Sequence, residues 1–321
     1  MIRLAREAMR TRFEILFPEE AGQSAAHLRA AGEEALEEIA AVERRLSVYR
    51  LDADLYAVNA RAAEEAVRVD ARTFTFLREA FQLVETTGGA FDPTVGPLLT
   101  LWGLSGTEER LPDSPEIAEA LPKVGVQNAV LDEEALTVRY AVPGMRLDPG
   151  AIGKGYALGR AEELLRENGI RNALLHGGTS TVCALGAPPE TPDGWHIAVQ
   201  DPTKPEAHLA VAVLRDCSLS VSAVHGKSFW AQGRRFGHVL DPRIGWPVEK
   251  TLLAAVVAPS AIETDALSTA LLVLGEEGLP VLVNRFQNAG FLVATAEEND
   301  DNTVRVVTVG DVWRGVSTSA P

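Results

Sequence analysis

The sequence predicts an α+β fold, and three observations carry that prediction. Runs with the two-residue alternation of a strand and runs with the 3.6-residue period of a helix follow one another without the strict alternation of a doubly wound sheet. Hydrophobic residues fill 46% of the 321 positions, enough for a sizeable core in one large domain or two ordinary ones. No internal repeat and no low-complexity linker divides the chain.

The elements can be justified in order. Residues 12–17 alternate Phe13, Ile15 and Phe17 with other residues, as a half-buried strand does. Over 24–49, Leu28, Ala31, Ala35, Leu36, Ile39, Val42 and Leu46 recur at helical spacing, and Glu33, Glu34, Glu37 and Glu38 form the wet side. Asp70 precedes a second amphipathic helix carrying Phe74, Leu77, Phe81 and Val84; Asp70 or Thr73 caps it and Gly88-Gly89 ends it. Pro93, Gly96 and Pro97 make the following stretch too proline-rich for a regular element. An acidic excursion with a short helix covers 106–123, and strands at 129–131 and 136–140 pair across a turn at 132–134. A helix over 154–168 stops at Gly169, and a buried strand at 173–175 ends at Gly177-Gly178. Strands are expected at 196–200, 209–214, 218–221 and 252–258, then a helix over 261–274 closed by Gly275, another starting near Gly278, and strands at 291–295 and 304–309.

Composition excludes several function classes. A net charge of −15 argues against nucleic acid, which needs a basic surface to displace counterions. An anionic ligand would have to bind at a local exception to that field. The two cysteines, Cys183 and Cys217, sit in apolar stretches without a CxxC partner and read as buried free thiols. The first residues show no apolar h-region and no cleavage site, and no run of about 18 apolar residues is long enough to span a membrane. The expectation is a cytoplasmic protein, unless a leader has been removed.

Two glycine-punctuated segments carry the functional signal, GGAFDPTVGPL at 88–98 and LDPGAIGKGYA at 147–157. Each sets a carboxylate, Asp92 or Asp148, beside glycines that allow close backbone approach. The second adds Lys154 in the first turn of a helix, where the helix dipole disfavours a cation unless an anion such as phosphate lies in reach. Carboxylates repel phosphate unless a metal ion or a hydroxyl-bearing ligand stands between. The combination suggests a phosphate ester handled with a divalent cation. The first segment, alone, reads equally as a helix end and a stiff turn with Asp92 capping backbone. The second lacks the spacing of a Walker A loop and of a dinucleotide fingerprint.

Two further segments join them. In Thr264-Asp265-Ala266-Leu267-Ser268-Thr269, the side chains of Asp265 and Thr269 lie four apart on one helix face. Such oxygen ligands suit Mg²⁺; the plainer reading is that Thr264 or Asp265 caps the helix and Thr269 bonds back within it. In HVLDPRIG at 238–245, His238 is structural or, beside a phosphate and a hydroxyl acceptor, a general base. Ser222 lies upstream in a strand-like run as a polar lining residue.

Read together and in order, these segments resemble the FAD:protein FMN transferase (ApbE) family. The matching pieces are Met9 and Thr11, Ser47 and Tyr49, residues 88–98 with Leu101-Trp102-Gly103, residues 147–157, Gly177-Gly178, residues 238–245, and Asp265 to Thr269. The resemblance covers most of the chain. It implies a single domain over 1–321 with two intertwined lobes, mixed and mainly antiparallel sheets flanked by helices, and FAD in a cleft between the lobes. Met9, Tyr49, Ala90, Phe91, Asp92, Asp148 and Lys154 match the family's FAD-contacting positions. Mg²⁺ would be held by the Ala151 carbonyl with Asp265 and Thr269. The implied reaction cleaves the FAD pyrophosphate, transfers FMN to a threonine or serine hydroxyl of an acceptor protein and releases AMP, with Asp265 and His238 as catalytic residues and His238 as the base. Holding FAD without turnover, or Mg²⁺-dependent hydrolysis of FAD to FMN and AMP, would use the same residues. Three departures from the family pattern stand out. Thr179-Ser180 follows the glycine pair where the family usually has Asp. Ser222-Ala223-Val224-His225 stands where Ser-Gly-Asp-Tyr is common. The usual secretory or lipoprotein leader is not seen.

Overall fold

The structure is a computed structural model that describes residues 1–19, 23–106, 108–204, 206–224, 228–297 and 300–316, with the backbone alone for 297 and 300–303. In chain order, strands β1 (Ile2–Ala8) and β2 (Thr11–Phe17) lead to helices α1 (Ala25–Leu46) and α2 (Asp54–Arg61). Strand β3 (Val67–Arg68) is followed by helices α3 (Ala71–Thr87), α4 (Gly96–Leu101) and α5 (Ser114–Ala120). The hairpin β4 (Ala129–Asp132) and β5 (Thr137–Tyr140) precedes α6 (Gly153–Glu167). Then come β6 (Ala173–Gly177), β7 (Thr181–Leu185), β8 (Trp195–Gln200), β9 (His208–Leu214) and β10 (Cys217–Ala223). The short strands β11 (Ser228–Ala231), β12 (Arg234–Gly237), β13 (Leu240–Asp241) and β14 (Trp246–Pro247) lead to β15 (Thr251–Ala258). Helices α7 (Ala261–Leu274) and α8 (Leu279–Arg285) and strands β16 (Gly290–Glu297), β17 (Asp300–Val309) and β18 (Trp313–Arg314) complete the order.

The chain divides into two compact units. The first comprises Met1–Glu43, Gly153–Ala223 and Lys250–Pro321; the second, Arg44–Ile152 and Val224–Glu249. The chain passes from the second to the first inside the LDPGAIGKGYA segment, between Ile152 and Gly153.

The first unit is built on an eight-stranded sheet in the order β1-β2-β6-β7-β10-β15-β16-β17, paired antiparallel throughout. Phe13, Ile15 and Phe17 of β2 are fully buried, as the alternation predicts. Strand β15 is buried along its whole length, which explains why its residues read as a continuous apolar run. A smaller sheet, β18-β9-β8, belongs to the same unit. Helix α7 packs on β10 and β15, and α6 packs on α7 and β7.

The second unit holds α3, capped by Asp70, whose side chain accepts from the Arg72 N–H, and closed by Gly88 in the left-handed region, as expected. Its core is aromatic. Trp102 meets Phe229, Phe236 and Trp246 at centroid distances of 6.2, 5.8 and 5.2 Å.

Several expectations are corrected. The proline-rich stretch is regular after Gly96, because Pro97 falls in the first turn of α4 where no N–H is needed. Helix α7 is capped by Ser260, which accepts from Glu263 N–H; Asp265 lies inside the helix and is no cap. Strands β1, β3, β7 and β18, helix α2 and the short strands β11 to β14 lie outside the elements the sequence predicts. Cys183 and Cys217 are free, and burial pushes the Cys183 thiol up to about 12, so it is inert as a nucleophile. Among the described residues no single helix is long and apolar enough to cross a membrane. His225 lies outside the described residues.

Candidate functional site

In the first unit, α6 begins against the second turn of α7. The N–H of Gly155 donates to Asp265 Oδ2 at 2.9 Å, and the Thr181 hydroxyl donates to Asp265 Oδ1 at 3.1 Å. Lys154 Nζ stands 3.6 Å from the same Oδ1. Asp265 is 4% exposed, so its charge is balanced by a helix N-terminus and a cation rather than by water. The odd position of Lys154 at the positive end of a helix is thus answered by a carboxylate of the chain itself. A Cβ on Gly155 would collide with the Ala261 carbonyl oxygen and approach Asp265 Cβ to 2.7 Å, so glycine is what lets the helices come this close.

A row of hydroxyls extends from this carboxylate. Ser220 of β10 meets Thr264 at 3.0 Å, and Ser222 meets both Ser268 at 2.9 Å and Thr269 at 3.2 Å. Thr269 also bonds back to the Asp265 carbonyl at 3.4 Å, as anticipated for a helix-interior threonine. Alternate residues of a strand point to one face, which sets Ser220 and Ser222 of β10 together against α7.

The glycine pair and the N-terminal hairpin belong to the same unit. Met9 and Arg10 form the two-residue turn between β1 and β2, both with positive φ (50° and 60°), a conformation non-glycine residues adopt at some cost. The Met9 N–H donates to Glu43 at 2.6 Å. A Cβ on Gly178 would come within 2.5 Å of Thr11 Oγ1, and one on Gly177 within 2.7 Å of Phe13. The glycine pair is therefore a packing requirement of β2, which begins at Thr11 just after the Met9-Arg10 turn.

In the second unit, the 88–98 loop lies along the start of the 147–157 segment. Asp148 N–H donates to the Pro93 carbonyl at 2.7 Å, and Val95 bridges Arg146. A Cβ on Gly96 would come within 2.7 Å of the Arg146 carbonyl oxygen. Asp92 is buried and accepts from the Thr94 N–H and hydroxyl at 2.8 and 2.6 Å; burial raises its carboxyl against these bonds. Asp148 accepts from the Gly150 N–H at 2.7 Å, and burial raises it as well, with Gly150 and Arg146 opposing. Ala90 and Phe91 are almost wholly buried.

Tyr49 and Asp148 line one small pocket with Gly96, Thr100, Ser105 and Arg146. The Ser47 hydroxyl accepts from the N–H groups of Tyr49 and Arg50, both at 3.2 Å, a local turn in which Tyr49 is 59% exposed. His238 is half-buried between β12 and β13. Its turn is locked by Arg243, which binds both Asp241 oxygens at 2.9 and 2.7 Å. The Trp102 indole donates to the Gly245 carbonyl at 3.0 Å, tying the LWG segment to the histidine turn.

The sequence-predicted residues therefore fall into two groups. Lys154, Asp265 and Thr269 come together in the first unit, which also holds Met9. Tyr49, Ala90, Phe91, Asp92, Asp148, Ala151 and His238 belong to the second. Residues that sequence reasoning missed include Thr181, Glu43, Arg146 and Asn59. Asn59 accepts from Leu147 N–H at 2.7 Å and donates to Leu147 O at 2.9 Å, fixing the segment before Asp148. Nothing in the local sequence marks it, because its partners lie far along the chain.

The donors Asp265 and Thr269 are hard oxygens, the chemistry a divalent cation such as Mg²⁺ takes. Each Asp265 oxygen carries one hydrogen bond, and a carboxylate oxygen can accept more than one partner. Among the described residues no group of three or more His, Cys, Asp or Glu is placed to hold a metal.

Fold and site together define an α+β protein whose helix-borne carboxylate is clamped at the N-terminus of a second helix. The sequence profile of the ApbE family matches residues 9–292. A relative from Treponema pallidum (strain Nichols), named FAD:protein FMN transferase, is 33% identical over 278 residues, covering 82% of this chain and 76% of the relative. One of the same name from Escherichia coli (strain K12) is 29% identical over 259 residues, covering 78% and 73%. The crystal structure of the ApbE protein of Thermotoga maritima superposes with a TM-score of 0.81 at 29% identity, over 92% of this chain and 94% of that one. The apo flavinyl transferase ApbE of Pseudomonas stutzeri gives 0.82 at 26% identity, over 96% and 94%. The chain belongs to the ApbE family.

Proposed function

We propose that this chain transfers FMN from FAD to a threonine or serine hydroxyl of a target protein and releases AMP. Family membership supports the reaction. The observation in this chain that carries it is the buried Asp265, held by Gly155 and Thr181 with Lys154 beside it. In this reading, Tyr49 and Asp148 hold parts of the dinucleotide, with Met9, Ala90, Phe91 and Asp92 as further contacts, and Lys154 offsets phosphate charge. Asp265, Thr269 and the Ala151 carbonyl would hold Mg²⁺. When bound, that ion supplies charge neutralisation on the pyrophosphate, which a chain of net charge −15 cannot supply from its overall field.

The acceptor oxygen bonds to the phosphorus on the FMN side. The bond from that phosphorus to the oxygen of AMP breaks, and AMP leaves with the electron pair. His238 takes the proton of the acceptor hydroxyl. The reading places the work in the cytoplasm, on an acceptor found there.

The test is incubation with FAD, Mg²⁺ and candidate acceptor proteins, read by AMP release and by flavin fluorescence on a denaturing gel. AMP with a fluorescent acceptor band supports transfer. AMP with free FMN and no labelled band replaces transfer by hydrolysis. Bound FAD with neither product leaves a binding protein.

A further inference from the structure

We propose that Thr181 is a positioning residue for the metal-ligating carboxylate, an inference that rests on the function proposed above. Three observations on the chain's own residues lead to it. First, the Thr181 hydroxyl donates to Asp265 Oδ1 at 3.1 Å, while the Gly155 N–H holds Oδ2 at 2.9 Å. The carboxylate is thereby gripped at both oxygens from two different elements, β7 and α6, so its rotation is fixed. Second, Thr181 is 0% exposed, and a hydroxyl in that position needs a partner inside the protein. Third, Thr181 sits where β7 begins, paired with Gly177 of β6 and Ser220 of β10, so its place is set by the sheet and not by a mobile loop.

The position matters because Lys154 Nζ stands 3.6 Å from the same Oδ1. A cation bound at Oδ1 must share that oxygen with Lys154 or displace it. Without the Thr181 hydroxyl, the carboxylate could swing toward the ammonium group and away from its ligating orientation. Partners that orient ligating groups typically affect metal affinity by about 10- to 100-fold.

The experiment compares Thr181→Val, which keeps the shape and the strand preference, with Thr181→Ser, which keeps the hydroxyl. Mn²⁺ is titrated into each full-length protein without FAD and read by the free-ion electron paramagnetic resonance signal; AMP release from FAD is measured in parallel. The expected result is Mn²⁺ affinity lowered about 10-fold or more in the valine variant and close to the parent in the serine variant, with urea unfolding showing all three folded. Equal Mn²⁺ affinity in valine variant and parent overturns the role of Thr181, while AMP release by both leaves the FAD cleavage of the proposed function standing. A serine variant as weak as the valine one also overturns it. A parent protein that binds no Mn²⁺ overturns it together with the metal in the proposed function.

Discussion

Gly155 and Asp265 meet backbone to side chain: the glycine N–H donates to Oδ2 at 2.9 Å, and the missing side chain is what gives it room. In an exposed helix, alanine for glycine would gain about 1 kcal/mol. Here a Cβ would collide with the Ala261 carbonyl oxygen, and backbone gives way less readily than a side chain. Overpacking of this kind costs about 1–3 kcal/mol, and the displaced N–H forfeits a bond to a charged acceptor worth about 1.5–3 kcal/mol. Gly155→Ala should therefore lower the urea midpoint despite its better helix propensity, and AMP release should fall with it. A variant as stable as the parent would show that α6 and α7 can separate freely, and the close approach would lose its meaning.

Asp265 can be tested without removing its volume. Asp265→Asn keeps one acceptor oxygen for Gly155 or Thr181 and turns an amide toward the other, so one donor pair is set face to face. It also removes the charge that Lys154 faces at 3.6 Å. AMP release should fall by about 10²-fold or more, as losses of a single stabilising group at a reacting phosphate or acyl centre do. Far-ultraviolet circular dichroism should remain that of the parent. Activity within a few-fold of the parent in a folded variant would remove Asp265 from the chemistry.

Glu14 gives the first unit an acid-sensitive anchor. It is buried on β2 among Arg3, Arg12 at 2.6 Å and His176 at 3.4 Å. The hydrogen bond from Arg3 is the largest cause holding its carboxyl below the usual range, opposed by desolvation. A depressed folded value means that the stabilisation is complete above the unfolded value, about 4.3, and is lost as pH falls through the lower folded value. Glu14→Gln should cost about 1 kcal/mol at pH 7, a small figure because both arginines are largely exposed. Urea midpoints of parent and variant should converge as pH falls below about 4. A gap that is constant from pH 7 to 3 would deny the ion cluster its role.

Much of the fold could be read from the chain because its helices carry their own boundaries: Asp70 and Gly88 for α3, Gly169 after α6, Gly275 after α7. What could not be read depends on partners distant in sequence. Strand β1 alternates Ile2 and Leu4 with charged residues but is fixed only by pairing with β2. Strand β7 follows β6 after only three residues and is fixed by its pairing with β6 and β10, and β11 to β14 exist because Phe229, Phe236 and Trp246 gather around Trp102. At the site, Lys154 stands out in the sequence as basic at the positive end of a helix, and Asp265 only through its four-residue spacing to Thr269. Thr181 and Asn59 carry no such misfit. Their significance lies wholly in what the fold sets against them, Asp265 in one case and the Leu147 backbone in the other.

Asp148 should show the opposite pH behaviour from Glu14. Burial raises its carboxyl, with the Gly150 N–H and Arg146 only partly offsetting that. A carboxyl whose folded value lies above the unfolded one, about 3.9, disfavours the folded state once ionised; stability should rise as pH falls through that raised value toward the unfolded one. Asparagine removes the penalty at neutral pH while its side-chain oxygen still accepts from Gly150. Asp148→Asn should therefore raise the urea midpoint at pH 7 and flatten its dependence between pH 7 and 4. If Asp148 meets a hydroxyl of FAD, the same change should weaken FAD binding about 10-fold, the worth of one hydrogen bond to a charged group. A gain in stability together with a loss of FAD affinity is what a residue kept for binding shows. A variant with higher stability and undiminished affinity would take Asp148 out of the dinucleotide site, and a variant with lower stability would contradict the burial argument itself.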